Sequence, residues 1–154
     1  MDALSFAPLD PGQVTKMHAP EHLCPAYQYG SSFERGLRVD FGDRSHLYVS
    51  GTPSIDREGN ILHPCDVRRQ TERTLENIDA LIHPQGASFR DMAYGVAYVL
   101  RREDAPAVRS VMEEHLPKGA PVIVVGSPIC RPGWQVEIEA MFVRPHASPY
   151  PPFL

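Results

Sequence analysis

Two acidic residues near the end of the chain have a spacing suited to proton transfer. Glu137 and Glu139 lie two positions apart in a segment that alternates apolar and polar residues, which is typical of a half-buried strand. Successive strand side chains point to opposite faces, so both carboxylates lie on one face. Partial burial there would raise a carboxyl pKa and suit it to general acid or base chemistry. An amphipathic strand with a solvated polar face gives the same pattern, and both interpretations stay open.

A second candidate is Cys130, in the loop 127–133 that connects two predicted strands. The guanidinium of Arg131 next to it would favour the reactive thiolate. The alternative is a small buried apolar side chain, because free cysteines are often buried. Cys24 and Cys65 have no comparable neighbour and are expected to be structural.

The tripeptide Ser50-Gly51-Thr52 follows a predicted strand. A glycine lets the backbone approach a ligand closely. A backbone N–H or a hydroxyl of this tripeptide could then bind a carboxylate. An ordinary strand end is the alternative interpretation.

Several classes of function are disfavoured by what the sequence contains. The 7 histidines show neither HExxH nor His-x-His spacing, and no phosphate-binding glycine loop or GxSxG is present, so neither a metal nor a cofactor is expected. A net charge of −4 argues against a nucleic-acid partner. No apolar run approaches about 18 residues, which argues against a membrane partner. The 3 scattered cysteines and the lack of a signal-peptide pattern at residues 1–5 favour the cytoplasm.

The strands predicted from residue pattern alternate with helices. They span 37–41, 46–50, 92–100, 122–125 and 135–143, with a short strand expected near residue 60. The segment 92–100 is ambiguous between helix and strand, and its aromatic and β-branched residues favour a strand. The continuous apolar run 122–125 predicts a strand that is buried on both faces.

Two helices complete the pattern. Asp66 is expected to cap the first, whose apolar stripe includes Leu75 and Ile78 and which ends before Gly86. Asp104 is expected to cap the second, with Pro106 in its first turn. The order β-β-α-β-α-β-β predicts an α+β fold, a single sheet with both helices on one face. The other face would stay uncovered, which predicts oligomerisation.

The 16 prolines concentrate towards the two ends of the chain. Proline fixes φ and removes a backbone donor, so residues 1–32 are predicted to form an irregular arm and 144–154 an extended tail. The domain itself would span 33–143. Loose ends and arms that wrap a neighbouring subunit are equally compatible with this composition.

The element order, together with three motifs, resembles the RidA/YjgF family. The motifs are Ser50-Gly51-Thr52, the segment from Gln70 through Leu75-Glu76-Asn77-Ile78, and Val136-Glu137-Ile138-Glu139. The resemblance implies a chorismate-mutase-like fold, a homotrimer and pockets between subunits. In such pockets, Glu137 would be the general acid or base and Glu139 a structural hydrogen-bonding or ion-pairing group.

The deaminase members of this family hold the substrate carboxylate with a strand arginine. Counting back from Glu137 without gaps, that position is Val122, which cannot form a bidentate ion pair with a carboxylate. Arg35 and Arg131 are the candidates to replace it, with a solvated side chain the alternative for Arg35.

The chorismatase branch is locally more similar. It resembles Phe33-Glu34-Arg35-Gly36, then Ser50-Gly51-Thr52, and then Cys130-Arg131 ahead of Glu137. The resemblance implies Cys130 and Glu137 as site residues and Phe33 as an aromatic over the pocket, with core packing an alternative for Phe33. Chorismatases are about twice as long as this chain.

Three hypotheses follow. The first is a cofactor-free enzyme that acts on a small carboxylate-bearing metabolite, with chorismatase-like chemistry on an enol ether. The second is an enamine or imine deaminase with a relocated arginine. The third is a non-catalytic ligand-binding trimer.

Overall fold

The computed structural model describes residues 9–153 and contains one mixed sheet with two α-helices. The strands are β1 (Val14–Met17), β2 (Gly36–Asp40), β3 (Arg44–Pro53), β4 (Met92–Val99), β5 (Val122–Gly126) and β6 (Val136–Pro145), and the helices are α1 (Val67–Ile82) and α2 (Ala105–His115). The sheet order is β1-β2-β3-β6-β4-β5. Neighbouring strands are antiparallel except β4 and β5, which are parallel. The predicted α+β fold is confirmed, and the trimer stays a prediction.

The alternating pattern of β6 separates a core face from an open face. Val136, Ile138 and Phe142 are almost fully buried in the core that the sheet shares with the helices. α1 packs on β3 and β6, and α2 packs on α1 and β5. Glu137 and Glu139 alternate with these core residues and are only half-buried. They therefore lie on the face that the helices leave open.

The two helix caps differ from one another. Asp66 caps α1 as expected, because its side chain accepts a hydrogen bond from the Arg69 N–H at 3.1 Å. Asp104 was expected to cap α2 in the same way, and this was wrong. It has helical backbone angles, its side chain makes no capping bond, and a 3-10 turn, Arg102–Asp104, leads directly into α2.

The prediction that 122–125 is buried on both faces was also wrong. β5 is the edge strand of the sheet, and Ile123 on its open face is 58% exposed. The side chains of this apolar run alternate between two different environments. Val124 faces the core, and Ile123 faces the uncovered side.

The two proline-rich ends are more ordered than their composition indicated. Within the arm, Val14–Met17 forms β1 against β2, so this part is sheet and not irregular. The tail folds back on its own chain, and its first two residues belong to β6. The Gly42 N–H donates to the Pro151 carbonyl at 2.8 Å, and the Phe153 ring meets the Phe41 ring edge-on at 4.9 Å. Residues 1–8 and Leu154 lie outside the described residues.

Candidate functional site

Glu137 lies on the open face, near the start of β6, which is a central strand of the sheet. In the sheet register it is opposite Pro53 of β3 on one side and Tyr98 of β4 on the other. Its carboxylate is turned towards β3, where it occupies the space that a Cβ atom at Gly51 would need. The glycine predicted to let a ligand approach the backbone thus lets the Glu137 carboxylate approach it.

The surroundings of Glu137 favour its protonated form. Burial is the main cause that raises the pKa of this carboxyl above its ordinary 4.5, and the negative charge of Glu139 adds to the rise. The positive charge of Arg35 acts in the opposite direction and is outweighed. A raised carboxyl pKa is what a general acid near neutral pH requires.

Glu139 is held by a residue that sequence reasoning did not single out. The Tyr98 hydroxyl donates a hydrogen bond to the Glu139 Oε1 atom at 2.7 Å. Tyr98 was assigned only a role in strand formation. The signal was present in the sequence. Side chains alternate between the two faces along β4, so Tyr98 shares one face with every second residue of that strand.

The hydroxyls beside Gly51 serve the backbone. Ser50 Oγ donates to the Glu34 carbonyl at 2.7 Å, and Thr52 Oγ1 donates to the Ser50 carbonyl at 2.8 Å. Both bonds accompany a shift in the β3–β6 register between Val49 and Thr52. Gly51 is the member of the tripeptide that contacts the candidate acid.

Arg35 is a buried residue, not a solvated one. It is 3% exposed, and its Nε donates to the Cys24 carbonyl at 2.9 Å. Its Nη2 lies 3.7 Å from the Cys24 sulfur, and its guanidinium lies 5.4 Å from the centre of the Phe33 ring. Cys24 therefore has the structural role expected of it. The Phe33 ring is 42% exposed, so core packing does not explain its presence.

Cys130 and Arg131 lie in the connection between β5 and β6. Cys130 is exposed, which rules out the alternative of a small buried apolar side chain. Cys65, expected to be structural, is exposed as well. The Arg131 guanidinium lies over the Trp134 ring at 5.7 Å from its centre.

Gln70 ties this connection to the start of α1. Its Nε2 donates to the carbonyls of Gly133, at 3.0 Å, and His63, at 3.2 Å. Its Oε1 accepts from the Gln135 N–H at 2.9 Å. Gln70 is fully buried. The sequence showed it only as part of a family motif, and its role as an anchor of the loop that carries Cys130 emerges from the structure.

Val122, at the position predicted for the family's strand arginine, is the first residue of β5. Val122 pairs with Gly95 and borders a cavity of about 610 Å³ between α2 and β5, on the helix side of the sheet. The β5 residue in line with Glu137 is Val125, which pairs with Tyr98. Neither Val122 nor Val125 is an arginine, so β5 offers no guanidinium at either position.

No group of three or more histidine, cysteine, aspartate or glutamate side chains within residues 9–153 could hold a metal ion. No helix in the same range is long and apolar enough to cross a membrane.

Comparison with known proteins identifies the class to which this chain belongs. The family model described as endoribonuclease L-PSP matches residues 39–143, which is more than half of the chain. The chain therefore belongs to this family, which is the RidA/YjgF family that its motifs resemble.

Two curated relatives differ in chemistry. The chain is 28% identical over 142 residues to a 3-hydroxybenzoate synthase from Streptomyces hygroscopicus, covering 86% of the chain and 42% of the relative. It is also 28% identical over 98 residues to the 3-aminoacrylate deaminase RutC from Acinetobacter baylyi, covering 62% of the chain and 76% of RutC. The chain thus spans less than half the length of the synthase.

Solved structures share the fold of this chain. A chorismatase crystal structure is similar with a TM-score of 0.74 and 26% identity, covering 84% of this chain and 43% of the chorismatase. RidA from the Antarctic bacterium Psychrobacter sp. has the same fold, with a TM-score of 0.70 and 20% identity over 83% of this chain and 98% of RidA. Relatives in this family include enzymes.

Proposed function

We propose that this protein is a cofactor-free enzyme that hydrolyses an enol ether of a small carboxylate-bearing metabolite, with Glu137 as the general acid. The observation that carries the proposal is the placement of Glu137. Its half-buried carboxyl faces the open side of the sheet with a raised pKa, caused by burial and by the charge of Glu139. The similarity to a chorismatase and to a 3-hydroxybenzoate synthase supports chorismate as the first compound to test.

The chemistry requires one proton to be delivered and recovered. Glu137 gives its proton to the terminal methylene of the enol ether, which leaves positive charge on the ether carbon and oxygen. Water adds to that carbon and returns a proton to Glu137. The resulting hemiketal breaks its bond to the ring oxygen, which leaves as a hydroxyl, and the side chain is released as pyruvate. A single carboxyl of raised pKa suffices for both proton transfers.

Other candidate residues surround the acid in this proposal. Arg35 supplies the positive charge that acts on the Glu137 region. The exposed ring of Phe33, next to Arg35, covers the substrate, and the Gly51 backbone borders it. Cys130 and Arg131 contribute from the β5–β6 connection, where Gln70 holds the loop.

A homotrimer is part of the proposal, because the site lies on an uncovered sheet face. Ile123 and Tyr94, on the same open side, are 58% and 46% exposed. A second copy packed on this face would enclose Glu137 in a cleft between subunits. Light scattering of the purified protein tests this, and an Ile123→Asp variant is expected to shift it towards the monomer.

The decisive experiment measures pyruvate released from chorismate by the wild type, Glu137→Gln and Glu137→Ala. Both variants are expected to lose roughly 10²- to 10⁴-fold in turnover, the usual contribution of a general acid. Glu113→Gln makes the same chemical change on an exposed part of α2 and should leave turnover intact. If Glu137→Ala keeps full activity on a compound that the wild type converts, the mechanism is wrong.

A second candidate function is an enamine or imine deaminase, favoured by the similarity to the deaminase RutC. The substrate carboxylate would then be held by Arg35 or Arg131, because neither Val122 nor Val125 of β5 can do so. Ammonia release from a generated imine, compared between wild type, Arg35→Ala and Arg131→Ala, separates this function from the first. Absence of any acceleration over buffer removes it.

The third hypothesis, a ligand-binding trimer without catalysis, makes a distinct prediction. Benzoate or a chorismate analogue would bind, and neither pyruvate nor ammonia would be released from any compound of the two classes. The raised pKa of the half-buried Glu137 carboxyl favours the first hypothesis over this one, because a general acid needs such a pKa.

A further inference from the structure

The helix side of the sheet holds a cavity of about 620 Å³ that the proposed reaction does not use. Its walls come from α1, from the segment 18–22 of the arm, from the turns that follow α1, and from the end of α2. A volume of this size is typical of a small-molecule site. The cavity and Glu137 lie on opposite sides of the sheet. Subunits that associate through the open face would therefore leave the cavity accessible.

The lining of this cavity is acidic. It contains four histidines and four carboxylates, and none of the lining residues within 9–153 is a lysine or an arginine. Two of the carboxylates have arginine partners outside the lining. Glu21 lies 3.4 Å from Arg57, and Glu76 lies 3.2 Å from Arg73. The remaining two carboxylates are those of Glu72 and Asp79.

Glu72 and Asp79 are partly buried, and each lines the cavity without a partner. Neither carboxylate makes a hydrogen bond or an ion pair with another residue of 9–153. Seven positions on an α-helix span about 10.5 Å along the axis and return to within about 20° of the same line. Leu75 lies between them on this face of α1, and Phe89 adds to the apolar lining. The cavity thus offers two negative groups, about two helical turns apart, with apolar surface between them.

The end of α1 adds to the negative charge. The last carbonyls of a helix carry partial negative charge, which basic side chains commonly offset. The last turn of α1 contains no basic residue, and Asp79 lies there instead. Like charges three or four positions apart on a helix also destabilise it, as Glu72 with Glu76 and Glu76 with Asp79 do here. A bound cation would relieve this electrostatic cost.

We propose that this cavity binds an aliphatic diamine or polyamine. One ammonium group lies at Glu72, another lies at Asp79, and the methylene chain between them covers Leu75. Ammonium groups make charge-assisted hydrogen bonds to carboxylates. A methylene chain packs on apolar surface while its charged end stays at a polar group, as lysine side chains do. The site is separate from Glu137, so the inference does not depend on the proposed reaction.

The test is a titration of the ¹⁵N-labelled full chain with amines, followed by NMR. Diaminooctane is expected to bind and to shift the amide signals of Glu72, Leu75 and Asp79. Octylamine has one ammonium group, and diaminopropane is too short to span the two carboxylates. Each should bind about three- to fivefold more weakly, the effect of losing one partly exposed ion pair. Equal affinities for diaminooctane and octylamine, no saturable shift at these amides, or equally tight binding of octanoate would overturn the proposal.

Charge-removing variants locate the ligand. Glu72→Gln and Asp79→Asn should each weaken diaminooctane binding about three- to fivefold, and the double variant roughly tenfold or more. The control is the double variant Glu103→Gln and Glu113→Gln, which removes two charges from exposed positions outside this cavity and should bind as the wild type does. Unchanged affinity in a folded Glu72→Gln/Asp79→Asn protein contradicts the proposal.

The wild-type chain alone also keeps the proposal falsifiable. If the double variant does not fold, the comparison of diaminooctane, octylamine and diaminopropane decides. Tighter binding of tetralysine than of diaminooctane would assign this surface to a basic protein segment and overturn the small-molecule site. The amide shifts report binding directly, so their outcome is the same whether or not an enol ether is converted.

Discussion

The Glu137 carboxylate fills the space in which a side chain at Gly51 would have to lie. A Cβ atom at position 51 would approach the Glu137 Cδ atom to 3.0 Å and its Oε1 atom more closely still. The two residues are on neighbouring strands, and a side chain at position 51 requires the Glu137 carboxylate to move. The absence of a side chain at position 51 of this chain is therefore explained by the carboxyl that packs against it.

Replacing Gly51 by alanine is expected to displace Glu137 while the sheet remains folded. A displacement of about 1 Å can cost on the order of 10²-fold in rate, so turnover should fall by roughly that factor. Steady-state kinetics and a circular dichroism spectrum measure the two effects. Gly51→Ala added to Glu137→Gln should cause no further loss, because the two changes act through one interaction. Additive losses would show that Gly51 acts independently of Glu137.

The raised pKa of Glu137 has a consequence for stability. The pKa of this carboxyl is higher in the folded state than in the unfolded state, so the folded chain binds more protons at pH values between these two pKa values. Stability therefore falls as pH rises through that window. Glu137→Gln should therefore be more stable than the wild type at pH 7. The advantage should disappear below pH 4.5, where the wild-type carboxyl is protonated in both states. Urea unfolding at a series of pH values checks this, and a variant that is less stable at pH 7 would contradict it.

Asp40 should show the opposite dependence. Burial raises the pKa of this carboxyl, but the hydrogen bonds from Ser45 and Arg38 outweigh burial and lower it overall. Its contribution is present above pH 3.8 and is lost as pH falls through the folded-state value.

Asp40→Asn should accordingly destabilise the fold at pH 7 by about 1.5–3 kcal/mol, the usual range for hydrogen bonds to a charged group. The Arg38 Nε lies 2.7 Å from the Asp40 Oδ1, and both side chains are largely buried. The exposed Glu103→Gln is the control. Equal denaturation midpoints for Asp40→Asn and the wild type would contradict the prediction.

Gln70 should matter for the loop that carries Cys130. Gln70→Leu removes the partners of two carbonyls and one N–H, and each buried backbone group left unpaired costs roughly 1–3 kcal/mol. We expect a loss of about 3 kcal/mol in the free energy of unfolding, since water can reach part of the loop. Amide hydrogen exchange should also speed up at Gln135, and the exposed Gln28→Leu should change neither quantity.

Sequence reasoning succeeded where a residue's neighbours along the chain determine its place. The alternation of β6 placed Glu137 and Glu139 on one face, and the capping pattern placed the start of α1 at Asp66. It failed where the position of a residue depends on tertiary structure. An apolar run such as 122–125 looks the same in a central strand and in an edge strand, and only the strand order distinguishes them.

The same limit applies to the candidate site. Arg35 was identified by type, but its burial against Cys24 depends on how the arm folds over β2, which no local pattern encodes. The Tyr98 bond to Glu139 joins residues 41 positions apart, and Gln70 reaches 65 positions to Gln135. Such contacts are set by register and packing, and a single sequence carries only weak signals for either.

The open sheet face also bears on how such a protein behaves as it is made and diluted. Glu137 lies on a surface that one copy of the chain leaves uncovered, so the proposed chemistry requires that copies meet. Specific activity would then fall on dilution below a concentration set by the association constant. Newly synthesised chains would be inactive until their concentration was high enough for the subunits to associate. For such a protein, abundance would be a control on turnover.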